Sequence, residues 1–230
     1  MVYCGFLGSF IVLVSRPLSP ALGFYGGIVM FLKKLFGNGS NTENLHFKII
    51  ELEQGTQQWL NWRHSGIGAS DASTIMGENR FKSPDKLLHE KIHKIDTKPN
   101  EKMRKGTALE PEVRSMYQKN NKIAVQPICI QSNSYSWIIA SLDGISNDYK
   151  SLVEIKCGES AYRQAARGIV PDYYFGQLQH QLMVTGLNLL DYWCYWPGEK
   201  GILIKVKRDN SYIKRLFKQE EKFYQSMKNA

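Results

Sequence analysis

Ser141-Leu142-Asp143-Gly144, then Glu154-Ile155-Lys156 after ten residues that separate the two acids, is the stretch on which the reading of this chain turns. Around it the sequence is rich in Ile, Val, Trp and Tyr, which favour pleated, half-buried strands. Strands are expected over 123–131, 136–141 and 151–155, with Asn147 and Asp148 turning the last two. A hairpin there brings Asp143 and Glu154 together, and Glu154 and Lys156, two apart on a strand, point to one face. Two close carboxylates repel each other and favour a divalent cation between them. An all-oxygen donor set without His or Cys suits a hard ion, Mg²⁺ with Mn²⁺ as substitute. Such an ion polarises a phosphate and acidifies water, and a neighbouring lysine stabilises developing negative charge. Taken alone, the motif is short enough to arise by chance.

Outward from that centre the pattern alternates helix and strand. A first strand is expected over 46–52 and a helix over 57–63 containing Trp59 and Trp62. Gly66-Ile67-Gly68-Ala69-Ser70-Asp71 reads as a turn into a helix with Ser70 as N-cap. Ser83-Pro84 opens a helix to about 95, since proline suits a first turn. Residues 98–105 read as a charged loop before a helix over 107–119, with Pro111 in its first turn. Helices follow over 161–167 and 173–185, strands over 190–196 and 201–206, and a closing helix over 211–227. A β-rich centre flanked by helices implies an α/β fold, a central mixed sheet with helices on its faces.

Three further segments accompany the acids. Glu110 starts a helix within Gly106-Thr107-Ala108-Leu109-Glu110-Pro111-Glu112. Gln177 and Gln181 fall four apart on one helical face, with Gln179 between them. Arg63 precedes the Gly66–Asp71 turn and Ser70 lies within it. Read in isolation, Arg63 is a surface charge, Ser70 a cap and the glutamines an ordinary helix surface.

In order, W…R-x-x-G-I-G-A-S, G-x-x-x-E, S-x-D-G, E-x-K and Q-x-Q resemble the lambda exonuclease and YqaJ-like viral recombinase family, over about residues 50–200. The resemblance implies a PD-(D/E)xK restriction-endonuclease-like core and Mg²⁺-dependent cleavage of DNA, with 5′-to-3′ digestion of one strand of a duplex end in many relatives. By position it makes Asp143, Glu154 and Glu110 metal ligands, Lys156 the catalytic lysine, and Gln177 or Gln179 the glutamine of the following helix. Arg63, Ser70 and Ser141 fall on its terminal-phosphate pocket. A homo-oligomeric ring and a single-strand annealing protein are implied by analogy. Leu142 departs from the proline of the motif's name, and Ser132-Asn133-Ser134 lacks the extra acid of some relatives, which leaves one or two metal ions open.

Two other readings compete. His89-Glu90-Lys91-Ile92-His93 is formally H-E-x-x-H, the pattern of a zinc metalloprotease. The lysine-rich surroundings of a solvated helix and the want of a third-ligand motif weigh against it. A non-catalytic DNA-binding relic of the nuclease fold is the other, opposed by the intact Asp143, Glu154 and Lys156.

Composition sets the limits. With 230 residues, 43% hydrophobic and a net charge of +9, the chain suits one domain of moderate size and a polyanionic partner such as double-stranded DNA. Cysteines at 4, 129, 157 and 194 lack CxxC spacing, and reduced thiols of a cytoplasmic protein fit best. Residues 1–44 form a hydrophobic extension and polar linker ahead of a nuclease domain at 45–230. The extension reads as a weak anchor, a poorly ordered tail, or sequence upstream of a true start at Met30. Its apolar stretches are interrupted by Arg16, Pro17 and Pro20 and fall short of the roughly 20 residues of a membrane helix, so no stable membrane partner is expected.

Overall fold

The computed structural model describes residues 45–230; the expectations for 1–44 lie outside them. The elements are β1 (Phe47–Ile50), α1 (Gln57–His64), β2 (Ile67–Gly68), a 3₁₀ turn (Ala69–Asp71), α2 (Ala72–Ile75), α3 (Pro84–Ile92), α4 (Glu101–Asn121), β3 (Val125–Ser132), β4 (Ile138–Ser146), β5 (Leu152–Cys157), α5 (Glu159–Ala165), α6 (Asp172–Thr185), β6 (Leu189–Tyr195), β7 (Ile202–Lys207) and α7 (Asn210–Lys228). The strands form one mixed sheet in the order β1-β3-β4-β5-β6-β7, with β2 beside β4. β5 runs parallel to β6, the crossover being α5 and α6, and the other neighbours on this path are antiparallel. This is the α/β sheet with flanking helices that the sequence implied.

Strand alternation divides the core. Leu152, Leu190, Tyr192 and Cys194 face a large cluster containing Leu178 and Leu182 of α6 and Phe223 of α7. Val153, Ile155 and Trp193 face a smaller one with Val113 and Tyr117 of α4. Each sheet face thus carries a helix, and period two decides which residues each helix covers.

One break in that alternation matters. Gln126 of β3 pairs with Ile145 and Ile128 with Leu142. Pro127 therefore faces two residues, Asp143 and Gly144, a β-bulge in β4. Proline, which has no N–H for the ladder, is tolerated at such a place. Leu142 and Ile145, three apart, both enter the large cluster, which a regular pleat forbids. Gly144 is required here because a Cβ would lie 2.7 Å from Val153 and 2.8 Å from Val125.

Two expectations fail locally. Residues 101–105 are the first turn and a half of α4, not a loop. Asn100 caps them by accepting the Met103 N–H at 2.9 Å, and Glu101 and Lys105 pair across one turn at 2.8 Å. Their charges mark a solvated helix face, and Pro111 consequently sits inside the helix. Ser70 is not an N-cap. It lies in the 3₁₀ turn, where Asp71 Oδ2 instead accepts the Gly68 N–H at 3.0 Å. Elsewhere α6 is anchored by buried His180, which donates from Nε2 to the Ile139 carbonyl at 2.9 Å and meets Glu220 of α7 through Nδ1 at 2.7 Å. Cys129, Cys157 and Cys194 are free thiols. Among the described residues no helix is long and apolar enough to cross a membrane.

Candidate active site

One residue beyond the Gly144↔Val153 pair, at the end of the β4–β5 ladder, Asp143 and Glu154 come together and line one cavity. The paired ladder stops at Gly144. Beyond it Asp143 Oδ2 accepts the Ile155 N–H at 2.8 Å, so a side chain takes the place of a strand carbonyl. From the other side, Arg114 Nε of α4 donates to the Asp143 carbonyl at 2.5 Å.

Glu154 is almost wholly buried, 1% exposed, and such a charge persists only when fully hydrogen-bonded. Lys156 Nζ donates to its Oε1 at 2.5 Å and Gln177 Nε2 to the same oxygen at 2.6 Å, while Gln181 Nε2 donates to Oε2 at 2.5 Å. Gln177 and Gln181, one turn apart on α6, thus both serve this carboxylate. Gln179 does not. Its side chain accepts the Asp209 N–H and donates to the Lys207 carbonyl, joining α6 to the end of β7, so of the two it is Gln177 that meets the Glu154 carboxylate. Gln181 was read from the sequence only as sharing the Gln177 face.

Glu110 reaches the same space from α4 and is held by the Arg114 guanidinium. Burial and the Glu154 and Glu110 charges push the Asp143 carboxyl well above the usual carboxylate range. Burial also raises Glu110, with Glu154 adding to it against Arg114. Burial works against the Lys156 charge, yet the carboxylates of Glu154 and Asp143 outweigh it and hold the ammonium above its ordinary value. The Lys156 ammonium donates hydrogen bonds to Glu154 and to Gln177 Oε1.

Glu110, Asp143, Glu154, Lys156 and Gln177 line one cavity of about 300 Å³ together with Arg63, Ser70, Ser141 and Trp59. Arg63 Nη2 donates to Ser70 Oγ at 2.7 Å. Trp59 joins this pair to the third member: its ring lies 4.8 Å beneath the Arg63 guanidinium and its N–H donates to Ser141 Oγ at 2.7 Å. Trp59 had been read only as a helix residue; its spacing of four from Arg63 was the available signal. Eight of the nine residues singled out from the sequence thus border one space, Gln179 being the exception.

The donor set fits a hard divalent cation. It is all oxygen, three carboxylates beside the two cations Lys156 and Arg114. As the side chains stand, their hydrogen bonds hold them apart: no three His, Cys, Asp or Glu among the described residues form a ready cage. The same holds for His89 and His93. Their rings lie 4.2 Å apart on an exposed face, and His93 Nδ1 turns to the His89 carbonyl of its own helix at 3.0 Å. Glu90 is paired to Lys82 at 2.5 Å, where a protease would need it free as a base.

Comparison with known proteins follows the same line. The model of the YqaJ-like viral recombinase domain matches residues 58–188. The chain is 28% identical over 182 residues to the uncharacterized protein YqaJ of Bacillus subtilis (strain 168), covering 75% of this chain and 56% of that protein. It is 27% identical over 161 residues to the uncharacterized protein R354 of Acanthamoeba polyphaga mimivirus, covering 63% of this chain and 29% of that protein. The chain thus spans about half or less of these curated relatives. Among solved structures it resembles the alkaline exonuclease LHK-Exo from Laribacter hongkongensis, with a TM-score of 0.67 and 23% identity over 76% of this chain and 93% of that one. A phage related exonuclease from Haemophilus somnus 129PT follows at a TM-score of 0.56 and 13% identity, over 74% and 96% of the two chains. At these identities the likeness is one of fold. With more than half of its residues matched by the family's model, the chain belongs to the YqaJ-like viral recombinase domain family.

Proposed function

We propose that the chain is a metal-dependent deoxyribonuclease that digests duplex DNA from its 5′ ends. The observation that carries this reading is one cavity that gathers Asp143, Glu154 and Lys156 beside Arg63, Ser70 and Ser141. Asp143 and Glu154 would hold Mg²⁺, with Glu110 completing the negative field from α4. The ion, when bound, supplies Lewis-acid polarisation of the scissile phosphate and a more acidic water.

The chain's own residues do the rest. Lys156, kept protonated by its carboxylate neighbours, donates hydrogen bonds toward the attacking water and the charge that grows on phosphate oxygen. Gln177 and Gln181 hold Glu154 in one orientation, so the carboxylate does not reorganise during reaction. Arg63, backed by Trp59, and the Ser70 and Ser141 hydroxyls form an anion pocket for a terminal phosphate. Lysines and arginines elsewhere neutralise backbone phosphates, so affinity should fall steeply with salt. The family and fold likeness support this assignment; a ring of copies and a single-strand annealing partner belong to the same proposal.

End-labelled linear and closed circular duplex DNA, incubated with Mg²⁺ and with or without a 5′ phosphate, form the test. Loss of label from linear DNA alone, faster with the phosphate, is expected. Cutting of circles would instead mark an endonuclease, and no cleavage with either Mg²⁺ or Mn²⁺ would favour a DNA-binding relic.

A further inference from the structure

The H-E-x-x-H segment has an occupation other than zinc, in the residue between its Glu and second His. Lys91 is buried, its side chain 5% exposed. Its ammonium pairs with Asp71 Oδ2 at 2.6 Å and donates to the Arg63 carbonyl at 2.7 Å and the Gly66 carbonyl at 2.8 Å. Three acceptors match the three N–H bonds of an ammonium. Asp71 in turn accepts the Gly68 N–H. One cation from α3 therefore fastens the end of α1, β2 and the 3₁₀ turn, the segments that carry Arg63 and Ser70.

The location gives this fastening a use. Arg63 and Ser70 line both the active-site cavity and a second hollow, which Asp71 and Lys91 also line. The hydrogen-bonded Arg63–Ser70 pair thus borders both spaces. Trp59 supports it at the guanidinium, while Lys91 and Asp71 support it at the backbone.

We propose that Lys91, with Asp71, is a positioning residue for recognition of the DNA 5′ phosphate: it sets the aim of Arg63 and Ser70 without touching DNA. This rests on the terminal-phosphate reading of that pocket. Loss of aim should cost end recognition and spare the chemistry, because Asp143, Glu154 and Lys156 are held by other contacts.

The test is steady-state digestion of linear duplex with 5′-phosphate or 5′-hydroxyl ends by wild type, K91M and the double variant D71N/K91M, which leaves no lone buried charge if K91M fails to fold. For 5′-phosphate ends KM should rise about tenfold, as a misplaced binding group costs, with kcat within about twofold and the 5′-hydroxyl reaction unchanged. A variant that keeps the full phosphate preference, or that loses kcat equally on both ends, overturns the positioning role alone. Wild type that cleaves both ends equally well overturns the pocket reading and this proposal together.

Discussion

Two buried charge clusters lie within one small domain and differ in balance. In the Asp71–Lys91 pair every ammonium proton has an acceptor, and the acid's charge is wanted. Burial opposes the Asp71 charge, yet Lys91 and Arg63 outweigh it and hold that carboxyl below the usual range. Around Asp143 the reverse holds: burial and two further carboxylates push its pKa up. The first cluster is complete within the chain. The second gathers three carboxylates, Asp143, Glu154 and Glu110, around one ammonium, Lys156. A cation matched by three acceptors fits a structural role, and a cluster of acids in a cavity fits the proposed metal site.

Substitutions should separate the two. The largest effect is expected from Lys156→Ala or Glu154→Ala, which should lower Mg²⁺-dependent cleavage at least ~10³-fold with the circular dichroism spectrum unchanged; retained activity would refute the assignment. Asp143→Asn should be equally inactive yet melt higher than wild type, since it removes the charge that the site resists. A lower Tm would show that the acid is satisfied after all. Lys91→Met should do the opposite, leaving kcat nearly intact while costing about 3–5 kcal/mol in urea denaturation, the penalty of stranding a buried partner. Smaller still, Gln177→Leu should slow cleavage about tenfold through a loosened Glu154, whereas Gln179→Leu should lower stability and leave kcat alone.

The comparison also has a pH form, with opposite signs. Asp71 has a depressed folded-state pKa, so its contribution to stability is present above the unfolded carboxylate range and lost as pH falls through the folded value. Asp143 has a raised one, so its protonated form favours folding and that contribution is lost as pH rises through the raised value. Mg²⁺ must displace that proton, so its affinity should climb with pH through the same window. Calorimetric titration of Mg²⁺ in buffers of different ionisation enthalpy would measure the released proton, and a pH-independent affinity would contradict the ligand role.

What could be read beforehand followed the periodic patterns. Glu154 and Lys156 share a face by period two, and Gln177 and Gln181 by one helical turn; both expectations hold because burial of those faces leaves no alternative. The alternation rule breaks where the chain itself breaks it. At Asp143 a bulge reverses the phase, and only Pro127 and Gly144 hint at it. The first turn of α4 was hidden because its charged residues look like a loop when no partner is visible. Gln179, Trp59 and Lys91 owe their roles to contacts across 28, 82 and 25 residues respectively, which short-range spacing does not encode. Lys91 is the sharpest instance, since a lysine in a charged segment reads as solvated until its three acceptors are in place.

The extra residue opposite Pro127 makes the span between the two acids a matter of parity. Lengthening or shortening the β4–β5 hairpin by two residues at its tip would leave Asp143 and Glu154 facing each other. Deleting Gly144 alone would straighten the pleat and send the aspartate to the far side of the sheet. In this scaffold deletion of that one residue is therefore expected to be more disabling than most replacements of it.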